Sequence, residues 1–383
     1  MSRLALVFLS LGLFGPEALA QVSKANYRVY VGTYTGPKSQ GIYRLDFDSA
    51  TGKLTPRGLA ARTPSPSFLA IHPSQKFLYA ANEIGQFQGK KTGSVSAFTI
   101  DPVSGNLSAL NVQPSGGADP CYVQVDPTGK NLLVANYSGG SVEVVPIHSD
   151  GSLGDPSTVI QHRGSSVNKS RQSEPHAHSI DLDASGRFVV AADLGLDKLL
   201  LYRLDPTKGL LTPSSTPHVE LAPGSGPRHF AFHPDGKHAF SISELSSTIE
   251  VYDVDSTSGR LVGTQTISTL PPGAKSGNST AEILVHPGGK FVYGSNRGDD
   301  SLAIYQIEPN SGKLTLTGHQ PTGGKTPRSF GIDPTGQYLI AANQNSDSLI
   351  VFKIDLGTGM LKQIGEPVMV PSPVCVKFLP MTP

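Results

Sequence analysis

Six polar residues lie at related places in a repeating sequence pattern, and their types suit acid-base and anion chemistry. They are His176, His178, Arg228, Glu244, Arg297 and Arg328. A histidine titrates near working pH and can act as general base or general acid. An arginine presents a fixed fork of N–H donors to a carboxylate or a developing oxyanion, and a glutamate can orient it. The set predicts a catalytic site, provided that the fold brings these residues together.

Each group also has a structural interpretation. His176 and His178 lie in the polar stretch Gln-Ser-Glu-Pro-His-Ala-His, which could be a loop, and Arg228 with Glu244 could be an ion pair holding two strands. Glu174 next to the histidines suggests a metal, but no further ligands at metal-like spacing accompany it, so none is expected. The sequence has no glycine-rich phosphate loop and no serine nucleophile elbow, and no cofactor is expected.

The related places are defined by a segment that recurs along the chain. An apolar strand runs into a turn such as His-Pro-Asp-Gly or Asp-Pro-Thr-Gly and then into a second strand. Copies begin at Pro66, Pro120, Pro175, Pro227, Thr280, Pro327 and Pro373. Their spacing of roughly 50 residues is typical of a stacked or radial array. The last copy ends after its first strand, and the segment from Tyr27 can supply the missing second strand.

These repeats predict an all-β fold, a seven-bladed β-propeller closed by pairing of the N- and C-terminal strands. Alternating strands and Gly-containing turns follow each copy, which gives four strands per blade. Only the first twenty residues show a helical period, so residues 21–383 are expected to form a single propeller domain. The chain has no Trp, which argues against WD repeats.

Alignment of the copies on their turn residue shows where the blades differ. One position, at the entry of the first strand, holds Ser67, Cys121, His178, Arg228, Ala281, Arg328 and Val374. Another, at the end of the second strand, holds Glu83, Tyr137, Leu194, Glu244, Arg297 and Gln344. A propeller brings equivalent strand ends together at one mouth of its channel, so these residues should converge there. His176 should face the same side as His178 if that strand is regular.

Residues 1–20 have the features of a signal peptide. Arg3 precedes an apolar run, and Ala18-Leu19-Ala20 forms a small-x-small site before Gln21. The protein is therefore expected to be periplasmic or secreted, with an uncleaved anchor as the alternative. No other apolar stretch is long enough to span a membrane, and no membrane association beyond the signal peptide is expected.

Charge and cysteine content limit the possible partners. Lys and Arg number 31 against 30 for Asp and Glu, a net charge of +1, which gives no support for a nucleic-acid partner. Cys121 and Cys375 start strands in blades separated by a third blade, which is too far apart for a disulfide. Two buried free thiols and a monomeric protein are expected.

The ordered set of motifs resembles a known family. Pro-His-Ala-His from Pro175, Gly-Pro-Arg-His-Phe from Gly226, Ser-Glu-Leu from Ser243, Ser-Asn-Arg-Gly from Ser295 and Val-Gly-Thr-Tyr-Thr from Val31 are similar to the lactonase seven-bladed propeller family. That family includes bacterial 6-phosphogluconolactonase and fungal carboxymuconate cyclase. The resemblance implies a site lined by a His, two Arg and a Glu, here His178 or His176, Arg228, Arg297 and Glu244. The leader departs from the family, whose phosphosugar lactonases work in the cytosol.

Two functions follow from the sequence. The first is an exported lactonase, similar to 6-phosphogluconolactonase, that hydrolyses a sugar or carboxylated lactone as its small-molecule substrate. His178 or His176, Arg228 and Glu244 would then be catalytic, and Arg297 and Arg328 would bind substrate. The second is a non-catalytic propeller that binds a ligand or a partner protein at the same mouth, because fold alone does not determine function.

Overall fold

The structure is a computed structural model of the 383-residue chain that describes residues 26–274 and 276–381. The signal peptide predicted at residues 1–20 lies outside the described residues. No helix in the described ranges is long and apolar enough to cross a membrane. Apart from one short 3-10 turn at Gln344–Ser346, the regular structure in these ranges is β-strand.

The strands follow one another along the chain in a regular series. They are β1 (Asn26–Thr33), β2 (Gly41–Asp48), β3 (Lys53–Arg62), β4 (Pro66–Ile71), β5 (Phe77–Asn82), β6 (Ser94–Ile100), β7 (Leu107–Pro114), β8 (Pro120–Val125), β9 (Asn131–Asn136), β10 (Ser141–Pro146), β11 (Thr158–Gln161), β12 (Ala177–Leu182), β13 (Phe188–Asp193), β14 (Lys198–Asp205), β15 (Leu210–Glu220), β16 (Pro227–Phe232), β17 (His238–Ser243), β18 (Thr248–Val254), β19 (Leu261–Ser268), β20 (Ser279–Val285), β21 (Phe291–Arg297), β22 (Ser301–Ile307), β23 (Leu314–Pro321), β24 (Pro327–Ile332), β25 (Tyr338–Asn343), β26 (Ser348–Ile354), β27 (Leu361–Met369) and β28 (Pro373–Pro380).

These strands form seven antiparallel sheets of four strands each, which confirms the predicted propeller. Blade 1 has the order β28-β1-β2-β3, and blades 2 to 7 take four consecutive strands each, from β4 to β27. The innermost strands β4, β8, β12, β16, β20, β24 and β28 contact one another in turn, and β28 contacts both β24 and β4. The N-terminal strand β1 pairs with the C-terminal strand β28 from Tyr27 opposite Pro380 to Thr33 opposite Pro373. The predicted closure is therefore confirmed, and it leaves no open blade at the ends of the array.

The second strand of each blade forms the core. β9, β13, β17 and β25 are buried at every position, in keeping with short runs of apolar and small residues packed between neighbouring blades. Third strands such as β10 and β22 are also mostly buried, whereas outer strands such as β19 are half exposed. Burial of this kind explains why the inner strands hold their ends in fixed positions at the channel mouth.

A recurring histidine links neighbouring blades at the opposite end of the channel. His72, His233 and His286 each donate from Nε2 to the carbonyl of a turn glycine in the next blade, Gly129, Gly289 and Gly336, at 2.9, 2.8 and 2.8 Å. These glycines have φ of 72°, 68° and 71°, and a Cβ there would lie within 3.0 Å of the imidazole. The Pro-x-Gly elements are turns, as predicted, and their glycines also pack against the histidine of the preceding blade.

Two further side-chain features bear on stability. Cys121 and Cys375 are buried free thiols, as expected. Glu143 on β10 is fully buried, with 0% of its surface exposed, and within the described residues neither of its carboxyl oxygens has a hydrogen-bond partner. Burial raises the pKa of Glu143 to about 8.

Candidate active site

One cavity of about 380 Å³ collects most of the predicted site residues. It opens where inner strands begin and second strands end, the mouth that the repeat alignment indicated. Its wall is formed by Tyr34, Glu83, Tyr137, Arg171, His178, Glu244, Ser279, Arg297 and Arg328. Arg228 lies behind this wall, and His176 is not part of it.

A β-bulge places the inner-strand residues at the mouth. The pairing of each inner strand with its neighbour slips by one residue near the strand entry. The extra residue is Ser67, Cys121, His178, Arg228, Arg328 or Val374, and in blade 6 it lies within Ala281–Glu282. A bulged residue leaves the regular alternation of a strand, and bulges of this kind re-aim side chains next to active sites. The aligned sequence position is thus the bulge of each blade.

Glu244 is the centre of the charge network. Its Oε1 accepts a hydrogen bond from Arg171 Nη2 at 2.6 Å, and its Oε2 lies 2.8 Å from Arg297 Nη2 and 3.2 Å from Arg228 Nε. Burial opposes ionisation of Glu244, but Arg297, Arg228 and Arg171 outweigh it and lower its pKa to about 2. The Arg228–Glu244 ion pair considered from the sequence is present, and its glutamate also lines the cavity.

A buried histidine and a buried carboxylate hold Arg228 in place. Its Nη1 donates to the carbonyl of Ala281 at 2.5 Å and to His229 Nε2 at 3.2 Å. His229 Nδ1 in turn donates to Glu282 Oε1 at 2.6 Å, which assigns the tautomer whose Nε2 accepts from Arg228. Burial and the nearby Arg297 and Arg328 lower the pKa of Arg228 to about 10. The guanidinium is therefore fixed in position, although it does not reach the cavity wall.

Arg328 and Glu83 form a second pair across the cavity. The Arg328 guanidinium stacks over the ring of Tyr34 at 5.1 Å, and its Nη2 lies 4.0 Å from Glu83 Oε1. Tyr34 donates its hydroxyl to Glu83, 2.8 Å from each carboxylate oxygen. Burial lowers the pKa of Arg328, but Tyr34, Glu83 and Glu244 more than offset it, so the pKa of Arg328 is raised. Arg328 is a permanent cation in the cavity wall.

His178 contributes a neutral imidazole to the cavity. It is only 4% exposed, and its Nδ1 lies 3.6 Å from the Sγ of Cys121 in the neighbouring blade. Burial, together with Arg228, His229 and Arg328, holds the pKa of His178 well below its usual range. Since Nδ1 faces the thiol, Nε2 is the nitrogen available to a water or a substrate.

His176 does not share this position. It lies one residue before β12, where its Nδ1 donates to the carbonyl of Tyr137 at 3.0 Å and its ring stacks on the Tyr137 ring at 4.4 Å. The expectation that both histidines face the same side required a regular strand, and the bulge at His178 removes that regularity. His176 supports Tyr137 from behind instead of facing the cavity.

Sequence reasoning missed several residues of the wall. Glu83 and Tyr137 occupied the aligned strand-end position but received no role, and Tyr34 lay in a motif used only for the family resemblance. Arg171 lies in the irregular loop between β11 and β12, outside every repeat position, so no alignment signal pointed to it.

A separate group of three potential metal ligands lies in the turn between β16 and β17. Ligand atoms of His233, Asp235 and His238 all lie within 4.8 Å of one another. The Asp235 N–H donates to His233 Nδ1 at 3.1 Å, and His238 Nδ1 donates to the Asp235 carboxylate at 2.7 Å. These bonds account for the group as part of the turn, at the end of blade 5 opposite the cavity.

Comparison with known proteins identifies relatives of this chain. The family model described as "Lactonase, 7-bladed beta-propeller" matches residues 28–378. The chain is 39% identical over 353 residues to a protein of Bacillus subtilis named 6-phosphogluconolactonase, covering 92% of this chain and 98% of the relative. It is 33% identical over 310 residues to one of the same name from Formosa agariphila, covering 80% of this chain and 86% of that relative.

A solved structure shows the same architecture. The periplasmic gluconolactonase PpgL of Pseudomonas aeruginosa superposes with a TM-score of 0.87 at 34% identity, covering 94% of this chain and 100% of that chain.

Proposed function

The chain belongs to the lactonase seven-bladed β-propeller family, and from that premise we propose that it hydrolyses the ester of a sugar or carboxylated lactone. The observation that carries the proposal is the neutral imidazole of His178 in a small cavity with permanent cations in its wall. A neutral base next to fixed positive charge is what hydrolysis of a carbonyl compound by water requires.

In the proposed mechanism His178 is the general base and then the general acid. Its Nε2 removes a proton from water while the water oxygen attacks the lactone carbonyl carbon. Positive charge from Arg297 at the wall and from Arg228 behind Glu244 stabilises the oxyanion. The tetrahedral intermediate then breaks its ring C–O bond, and the His178 imidazolium returns the proton to the leaving alkoxide. The products balance as lactone plus water giving one hydroxy acid.

Glu244 and Arg328 have supporting roles in this mechanism. Glu244 is ionised and contacts three guanidinium groups, so it orients Arg228 and Arg297 and does not itself supply a proton. Arg328 and Arg297 are the candidates for contact with a substrate anion. His176 remains the weaker candidate for the base, because its Nδ1 is bonded to a backbone carbonyl outside the wall.

A panel of lactones tests the activity directly. The purified mature protein is expected to release acid, in a pH-stat, from at least one sugar or carboxylated lactone above the spontaneous rate. If no lactone is turned over while one of them binds in the cavity, the binding-module alternative replaces the enzyme.

Export is proposed together with this activity. The leader at residues 1–20 supports it, and the relative PpgL is described as periplasmic. Expressed with its own leader in a bacterial host, the exported protein is expected to begin at Gln21, which N-terminal sequencing checks. An intact Met1 form found only in the cytosol would refute export and would favour a phosphosugar lactone as the substrate.

A further inference from the structure

Arg171 differs from the other arginines of the cavity in its origin and exposure. Arg228, Arg297 and Arg328 belong to strands, and their side chains are 3%, 13% and 18% exposed. Arg171 extends from the loop between β11 and β12, and its side chain is 39% exposed. It is therefore the guanidinium of this wall that an incoming molecule meets first.

The loop that carries Arg171 is anchored. The neighbouring Gln172 is fully buried, and its Nε2 donates to the carbonyl of Leu194 at 2.9 Å and to Asp197 Oδ1 at 2.7 Å. Asp197 Oδ2 also accepts from Ser166 of the same loop at 2.6 Å. These bonds fix the backbone on both sides of Arg171, so its side chain starts from a defined place above the cavity.

Arg171 also retains donors. Only Nη2 is engaged among its described contacts, with Glu244 Oε1 at 2.6 Å and the Tyr137 hydroxyl at 3.1 Å. Glu244 keeps Arg228 and Arg297 if Arg171 turns away. The Nε and Nη1 donors of Arg171 can therefore bind an anion without leaving a buried carboxylate unpaired.

The charge of the wall favours such an anion. Three guanidinium groups, those of Arg171, Arg297 and Arg328, line the cavity, and two carboxylates, Glu83 and Glu244, oppose them. The difference is one positive charge in a small and partly buried space, where interactions between charges are stronger than in water.

We propose that Arg171 is a specificity-determining residue that binds an anionic group of the substrate at the cavity rim, away from the carbonyl attacked near His178. The inference rests on the proposed lactonase function and adds the residue that selects an anionic over a neutral substrate. The shared chemistry is a carboxylate or a phosphate held by the guanidinium fork.

Binding of hydrolysis products tests this without relying on turnover. Gluconate, its dicarboxylic analogue glucarate and 6-phosphogluconate are titrated calorimetrically into the wild-type protein and the R171Q and K169Q variants. The wild-type protein is expected to bind glucarate or 6-phosphogluconate, each of which carries a second anionic group, on the order of tenfold more tightly than gluconate. R171Q should lose that preference while its affinity for gluconate stays nearly unchanged. A preference for glucarate identifies the bound anion as a carboxylate, and a preference for 6-phosphogluconate identifies it as a phosphate.

K169Q is the matched control, because Lys169 is an exposed cation two residues away on the same loop. It should keep the preference, and a melting curve should show that R171Q is folded. An unchanged preference in R171Q, an equal loss in K169Q, or no preference in the wild-type protein would overturn the inference. If the wild-type protein cleaves no lactone but shows the anion preference, and R171Q alone loses it, the lactonase proposal is refuted and the role of Arg171 stands.

Discussion

Replacing His178 by Ala is expected to lower kcat for a responsive lactone by on the order of 10², because a placed acid-base group contributes about that factor. The imidazole is neutral, faces the cavity and has Nε2 free of the thiol contact. Its lowered pKa also predicts that kcat/KM of the wild-type protein stays high below pH 6.5, since the base remains unprotonated there. Steady-state kinetics between pH 4.5 and pH 8.5 measure both effects.

His176→Ala is the matched control for this experiment. It removes the second imidazole of the same motif, which stacks on Tyr137 outside the cavity wall, and should leave kcat within a few-fold of the wild-type value. Thermal melting of both variants separates lost chemistry from lost structure. Full activity of H178A would refute the histidine mechanism, and a loss confined to H176A would transfer the role of base to His176.

The propeller could be predicted from the sequence because each repeat contains its own evidence. Turn prolines and glycines, paired with short apolar strands, recur at nearly constant spacing, and the incomplete last copy matches the strand from Tyr27. Local turn chemistry and burial period therefore specify both the blade and the closure of the ring. The pattern within one repeat does not predict contacts between blades, such as His72 with Gly129, because these contacts join residues of different repeats.

The candidate site was partly predictable for the same reason. Aligned positions converge in a radial fold, so the alignment alone predicted that several polar residues meet at one place. The structure places four of them in one cavity, namely His178, Glu244, Arg297 and Arg328. Arg171 could not be found in this way because its loop has no counterpart in the other blades. The position of His176 depended on a bulge, and the sequence contains no clear signal for a one-residue slip.

A buried chain of polar groups around Arg228 supports the electrostatic role proposed for this residue. Glu282, His229, Arg228 and Glu244 form a continuous buried chain of hydrogen bonds and ion pairs. Removing Glu244 would leave the buried Arg228 guanidinium without its paired carboxylate, and breaking a buried ion pair in this way typically costs about 3–5 kcal/mol. The chain holds the Arg228 guanidinium still, and in the proposed mechanism its fixed positive charge behind Glu244 needs no reorganisation when charge develops on a substrate.

Glu143 is the site of the second large expected effect, which concerns stability. In blade 5 the corresponding residue is Glu250, opposite Ser241, and its carboxylate accepts bonds from Ser241, Ser243 and Thr248. Glu143 lies opposite Val134 instead, and within the described residues its oxygens have no donor. Burial alone accounts for its raised pKa. A buried carboxyl without partners is destabilising, and the cost grows when it must ionise.

Glu143→Leu is therefore expected to stabilise the protein, by an amount that depends on pH. The folded state keeps the proton up to a pKa of about 8, whereas the unfolded state loses it near 4.5. Between these values the folded state binds more protons, so the wild-type protein loses stability as pH rises, by up to about 5 kcal/mol in total. The gain in E143L should grow from pH 4.5 to pH 8 and then level off, as measured by urea unfolding at four pH values. Glu250→Leu, which removes a carboxylate with three donors, should instead destabilise. A gain in E143L that does not change with pH would show that Glu143 is not protonated in the folded protein.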